Sequence, residues 1–216
     1  MADNFTELAF TECVKAQQEK YGTRSAYERM ERGGKFRKQL TWQEQEYIKK
    51  RDSFYLSSVG ENGWPYIQFR GGPKGFLKVT GENILAFADF RGNGQYISTG
   101  NFHTNKKTVL FFMDYVKKQR LKIWAEAEVR DSKDHPELAE QVIMPDYEAK
   151  VEQIIVFKVH AFDWNCPQHI TPRYTEEEIG DSQQALTMHI AELEAENENC
   201  CARLRTSNQR RLYNSH

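Results

Sequence analysis

"RDSFYLSSVGENGWPYIQFRGGPKGFLKV", residues 51–79, decides the reading of the fold. Two runs rich in β-branched and aromatic residues lie on either side of Glu61-Asn62-Gly63, and turn residues bound both. Asn-Gly supplies the positive φ angles of a tight hairpin, so the first two strands are expected to pair directly. The same texture continues through GFLKV (75–79), TGEN (80–83) and ILAFADF (84–90), which extend an antiparallel meander.

Further along, KTVLFFMDY (107–115) is a continuous apolar run and reads as a strand buried on both faces. RLKIWAEAEVR (120–130) alternates apolar and polar residues, as a half-buried strand does. A short helical segment near HPELAEQVI (135–143) precedes a last strand, QIIVFKVHAF (153–162). Six or seven strands with only short helices between them argue against βαβ alternation. They point to a mainly β fold with helices (α+β), built as a closed or nearly closed antiparallel barrel.

The flanks differ from this centre. Residues 1–51 read as a helical N-terminal extension, and Thr41 with Glu44 three positions on forms a capping-box pattern ahead of Ile48. The barrel is expected over 52–174, and a long helix over 175–216. In that helix Leu186, Ile190, Leu193, Asn197, Cys200 and Leu204 recur at alternating steps of four and three. The repeat suits a coiled-coil seam in which Asn197 sets the register, and it equally suits a solvated helix lying on its own barrel.

The chain has 216 residues, 30 basic and 31 acidic, for a formal net charge of -1. No global field therefore points to nucleic acid or to an anionic membrane. No apolar run approaches the roughly 18 residues that span a bilayer, and MADNFTELAF (1–10) lacks the pattern of a secretory signal, so a cytoplasmic location is expected. Cys13, Cys166, Cys200 and Cys201 show no CxxC or Cys/His spacing, which leaves neither a zinc site nor a disulfide framework to propose.

GNGQYISTGN (92–101) invites comparison with nucleotide loops. Gly92 and Gly94 begin a GxGxxG pattern, but Ile97 stands at the third glycine position, and a Gly-Lys-Ser/Thr phosphate loop is absent. What the segment offers is open backbone amides, with side-chain donors on Gln95, Ser98, Thr99 and Asn101. Arg70 and Lys74 flank the Gly71-Gly72 pair at the end of the second strand. With both segments on neighbouring strands of one sheet, a phosphate would fit between them. The bland alternatives are a surface loop and a basic β-turn.

With SFYLSSVGENGWPYIQFRGGPKGFLKV, LAFADFRGNGQYISTGN and RLKIWAEAEV in place, residues 51–174 resemble the pyridoxamine 5'-phosphate oxidase-related, FMN-binding split-barrel family. They are most similar to its predicted flavin-nucleotide-binding subgroup, which carries a segment like WNCPQHITPRY (164–174) near its end. The resemblance implies a six-stranded split barrel, a homodimer, and FMN as cofactor in each of two clefts between subunits. Carried over by position, it places Gln68 and Arg70 on the phosphate-binding strand, with Lys74 as further countercharge. Ala88 and Asp89 fall beside the ribityl chain, Gln95, Ser98, Thr99 and Asn101 on the phosphate turn, and Lys122 near the ring.

There are departures. ISTGN stands where the true oxidase carries a Ser-Arg-Lys run, so neutral donors replace two charges there. The oxidase's C-terminal Trp and Arg have no counterpart from Thr175 onward, which separates this chain from pyridoxamine phosphate oxidation. Gln168, His169 and Arg173 instead gather donors in a Pro-bracketed loop, with Gln168 and Arg173 as cofactor contacts from the partner subunit. Cys166 reads either as a thiol beside a redox ring or as small packing, and Trp64, Tyr66 and Trp124 read either as rings stacked on an isoalloxazine or, by default, as core aromatics.

Two functions of different class follow from the resemblance. One is an FMN-dependent oxidoreductase that acts on a small-molecule redox substrate, with NAD(P)H as a candidate reductant. The other is a non-catalytic carrier or sensor of flavin, or of another cofactor such as haem or a deazaflavin.

Overall fold

The computed structural model describes residues 5–33, 39–165 and 167–213, with the side chains of residues 165, 181, 182 and 200–213 outside the description. The chain divides into two units, residues 1–170 and 171–216.

The first unit opens with four helices, α1 (Phe5–Ala9), α2 (Glu12–Lys20), α3 (Arg24–Arg32) and α4 (Trp42–Lys49). The capping box expected at Thr41 and Glu44 is formed. Glu44 is almost fully buried and also accepts a 2.8 Å hydrogen bond from Trp164 Nε1. One carboxylate thus satisfies the start of α4 and an indole donor together. Ile48 and Tyr47 insert into the barrel, and Arg51 bonds Asp114 at 2.9 Å, which fixes where the first strand begins.

Then come β1 (Ser53–Val59), β2 (Pro65–Gly71), β3 (Lys78–Gly81), β4 (Ile84–Phe90), α5 (Ile97–Thr104), β5 (Lys107–Asp114), β6 (Gln119–Asp131), α6 (Pro136–Val142) and β7 (Val151–Asn165). The seven strands form one antiparallel sheet in the order β2-β1-β5-β6-β7-β4-β3, curled as a split barrel. The β1–β2 hairpin pairs as expected, from Ser53 opposite Gly71 to Val59 opposite Pro65. At its tip only Gly63 takes a positive φ, of 83°, and the turn is closed by Gly63 N donating to Gly60 O and Gly60 N to Trp64 O.

Three expectations change. The meander is interrupted, since β1 pairs with β5 and β4 with β7. Hence β2 and β4 are not neighbours in the sheet, and they approach each other only because the sheet rolls up. β5 is buried on one face alone: Thr108, Leu110, Phe112 and Asp114 are buried, while Val109, Phe111 and Met113 on the outer face are half-buried. Its apolar outer residues make local hydrophobicity a poor guide to two-sided burial.

Inside lies a phenylalanine cluster. Phe54 stacks on Phe76 at 5.7 Å and meets Phe87 edge-on at 5.6 Å, while Phe87 stacks on Phe157 at 6.0 Å. Each buried ring contributes about 1.5–3 kcal/mol relative to exposure. A second cluster, with Ala86, Ala88, Ile154 and Val156, packs beneath α6. On the outer face of β6, Phe5 of α1 covers Trp124 at 5.9 Å.

The second unit is dominated by α7 (Glu176–Tyr213), 38 residues long. Thr175 and Glu178 make a reciprocal cap, Thr175 N donating to Glu178 Oε2 and Glu178 N to Thr175 Oγ1. Among the described residues, no helix is long and apolar enough to cross a membrane.

Candidate functional site

Residues directly opposite in a paired hairpin share a face, so Tyr66, Gln68 and Arg70 of β2 point the same way as Ser58, Leu56 and Phe54 of β1. That is the inner face, and at the unpaired edge of β2 it opens onto the seam. Across the seam stands Asp89 of β4, paired in register with Gln153 of β7. Asn93, Gly94 and Tyr96 then turn the chain sharply. Gly94 has φ 75° and Tyr96 φ 51°, and Gln95 N donates to Asn93 Oδ1. The turn delivers the N-terminus of α5 to the same place, so a two-turn helix stands where the sequence suggested a plain turn.

A connected polar network closes the seam. Arg70 Nη1 donates to Asp89 Oδ1 at 2.5 Å, and Gln153 Nε2 lies 2.9 Å from Asp89 Oδ2 and 2.8 Å from Thr99 Oγ1. Ser98 Oγ donates to Gln68 Oε1 at 2.9 Å, and Asn101 Nδ2 donates to Ser58 Oγ at 2.9 Å. Arg70 also sits over the Phe87 ring, 5.8 Å from its centroid. Burial pushes the Asp89 carboxyl above the usual carboxylate range, and Arg70 and Gln153 offset part of that rise.

Of the residues singled out from sequence, Gln68, Arg70, Asp89, Gln95 and Thr99 line one cleft together with Tyr66, Tyr96, Glu152 and the Gly92–Gly94 backbone. Ser98 is buried behind it, holding Gln68, and Asn101 lines an adjoining groove with Trp64 and Ile97. The others lie elsewhere. Lys74 sits in an exposed turn held against α4, where Gly75 N donates to Arg51 O and a Cβ on Gly75 would meet Lys49 O at 2.9 Å. The Ala88 side chain faces the cluster under α6. Lys122 pairs with Asp163 at 3.4 Å and lies over Trp124 on the outer face of β6.

Gln168 is exposed in a turn whose next residue, His169, has φ 63°. Cys166 lies outside the described residues, and Arg173 belongs to the second unit. Sequence reasoning missed Gln153, the link between Asp89 and Thr99. It lies near the start of an ordinary apolar strand, and only the β4–β7 register gives it a role.

Arg70, with Lys74 beside it, was expected to supply most of the cleft's countercharge. Instead its charge is shared with Asp89, because the seam brings a carboxylate opposite it. Arg70 Nε is nonetheless buried without a hydrogen-bond partner. Around it stand hydroxyl donors and the first amides of α5, which have no partner within the helix. Such a donor set fits a phosphate monoester.

The sequence pattern of the family described as pyridoxamine 5'-phosphate oxidase matches residues 40–167, more than half of the chain. The chain belongs to that family. No curated protein matches the sequence significantly. Among solved structures, the pyridoxamine 5'-phosphate oxidase-family chain is similar to HupZ of Group A Streptococcus (13% identity, 62% of this chain and 100% of that chain, TM-score 0.45). It is similar also to an FMN-binding protein of Syntrophomonas wolfei (16%, 56% and 86%, 0.42). A third is a Clostridium acetobutylicum protein related to general stress protein 26 (14%, 63% and 94%, 0.42). Family membership rests on the sequence match, not on these likenesses.

Proposed function

We propose that the chain binds FMN, its phosphate held in the seam cleft by Arg70, Thr99, Gln95 and the N-terminus of α5, with Ser98 holding Gln68 behind them. The observation that carries this reading is a guanidinium with unused bonding capacity among hydroxyl and amide donors, in a family of phosphate-ligand oxidases. A bound flavin supplies two-electron transfer. The protein's own part is to orient it and to limit water, through the Arg70–Asp89–Gln153–Thr99 network.

In this reading the chain is an oxidoreductase for a small-molecule redox substrate, with NAD(P)H as reductant, working as a homodimer. An exposed apolar band supports the dimer: Tyr55, Ile67 and Phe69 on the outer face of β1 and β2, which α1 does not cover. Anaerobic mixing with NADH or NADPH, followed by flavin absorbance, tests turnover: bleaching supports an oxidoreductase, and a spectrum unchanged by both counts against one.

One observation favours a carrier instead. Both carboxylates lining the cleft are engaged in contacts within the protein, Asp89 with Arg70 and Gln153, Glu152 with Tyr96 and Arg91, so neither is left free to contact a substrate. Flavin that is retained but not reduced would select this second reading.

A further inference from the structure

Every described side chain from Glu176 to Asn199 is exposed, including Ile179, Leu186, Ile190 and Leu193. These four are not scattered. Ile179, Leu186 and Leu193 recur every seven residues, and Ile190 with Asn197 forms the companion row, so together they make one stripe along a 38-residue helix. A helix with an unfilled apolar stripe gains most of its stability from a partner that covers it.

Charge says which partner. Between Glu176 and Glu198 there are eight carboxylates and no lysine or arginine, whereas Arg203, Arg205, Arg210 and Arg211 follow with no acidic residue after them. The helix is therefore acidic along its first part and basic along its last. Two copies laid parallel would set carboxylates against carboxylates and arginines against arginines along the whole seam. Laid antiparallel about the middle of the helix, Glu176, Glu177, Glu178 and Asp181 of each copy meet the other copy's arginines, and only Glu192 to Glu198, at the centre, still face like charges.

We propose that α7 pairs antiparallel with α7 of a second copy of this chain, apolar stripe against apolar stripe and the acidic first turns against the arginine end. The pairing obeys two-fold symmetry, with the axis crossing the helix in its middle third. Asn197 stands in the seam, where a polar residue restricts the register. The inference rests on α7 alone and is independent of whether the barrel holds a flavin.

The test uses the full chain with Cys13, Cys166, Cys200 and Cys201 replaced by Ser and one spin label at Gln184→Cys or Gln209→Cys. At 1.5 Å per residue, antiparallel pairing puts like labels roughly 20–50 Å apart. In pairs co-purified through two different tags, one label at 184 and one at 209 come within roughly 25 Å. Short distances within each singly labelled sample would mean parallel pairing and overturn the proposal. Broad distributions unchanged by mixing would mean no pairing and overturn it too. Replacing the four arginines by Glu should abolish the short mixed distance while leaving barrel melting unchanged, and a short distance that survives would refute the charge argument.

Discussion

Arg70 Nη1 lies 2.5 Å from Asp89 Oδ1, so the guanidinium of β2 ties down β4 although no backbone hydrogen bond joins the two strands. The contact closes the split in the barrel and also forms one wall of the candidate cofactor cleft. Stability and the proposed ligand binding therefore meet in one side-chain pair.

Arg70→Ala should affect both. Loss of a charged hydrogen-bond donor is expected to weaken FMN binding by about 1.5–3 kcal/mol, a factor of ten or more. Asp89, buried beside the vacated space, would lose its counterion and titrate still higher. Fluorescence titration and thermal melting check the two effects separately, and equal FMN affinity in the variant would remove Arg70 from the site.

The pH dependence follows from Asp89. Its folded carboxyl titrates above the ordinary 3.8, chiefly through burial, so in that window the folded chain binds more protons than the unfolded one. Stability should therefore fall as pH rises from the ordinary carboxylate value through the raised one. Asp163 is raised for the same reason, so the useful quantity is the melting difference between wild type and Asp89→Asn. That difference should change across the window in the sense of wild type losing ground as pH rises, and a constant difference would contradict the assignment.

Gln153→Leu should separate Asp89 from Thr99. Two neutral-donor hydrogen bonds are lost, one of them to a carboxylate, at a cost of about 1–3 kcal/mol in stability. FMN binding should weaken as Thr99 loses its anchor, which the same titration reads.

Glu44→Ala removes the reciprocal cap of α4 and leaves the Trp164 indole N–H without its acceptor. A loss of about 1–3 kcal/mol is expected in urea denaturation, with FMN affinity of the folded protein unchanged.

The hairpin at Asn62-Gly63 and the cap at Thr41 and Glu44 were legible because each depends on residues a few positions apart. So were five cleft residues, through the order of their segments and a family resemblance. Gln153 was not, because its role arises from pairing with a strand more than 60 positions earlier. The neutralisation of Arg70 was also hidden, since sheet neighbours say nothing about which edges meet when the sheet rolls. For Lys74, nearness in sequence to Arg70 was misleading: the turn after β2 folds back onto α4.

A single comparison tests the central claim most directly: titration of the purified protein with FMN and, separately, with riboflavin, followed by flavin fluorescence. If the seam cleft grips a phosphate, one FMN should bind per chain and riboflavin at least about tenfold more weakly, the worth of a charged hydrogen bond. Equal affinity for the two, or no binding of FMN, would contradict it.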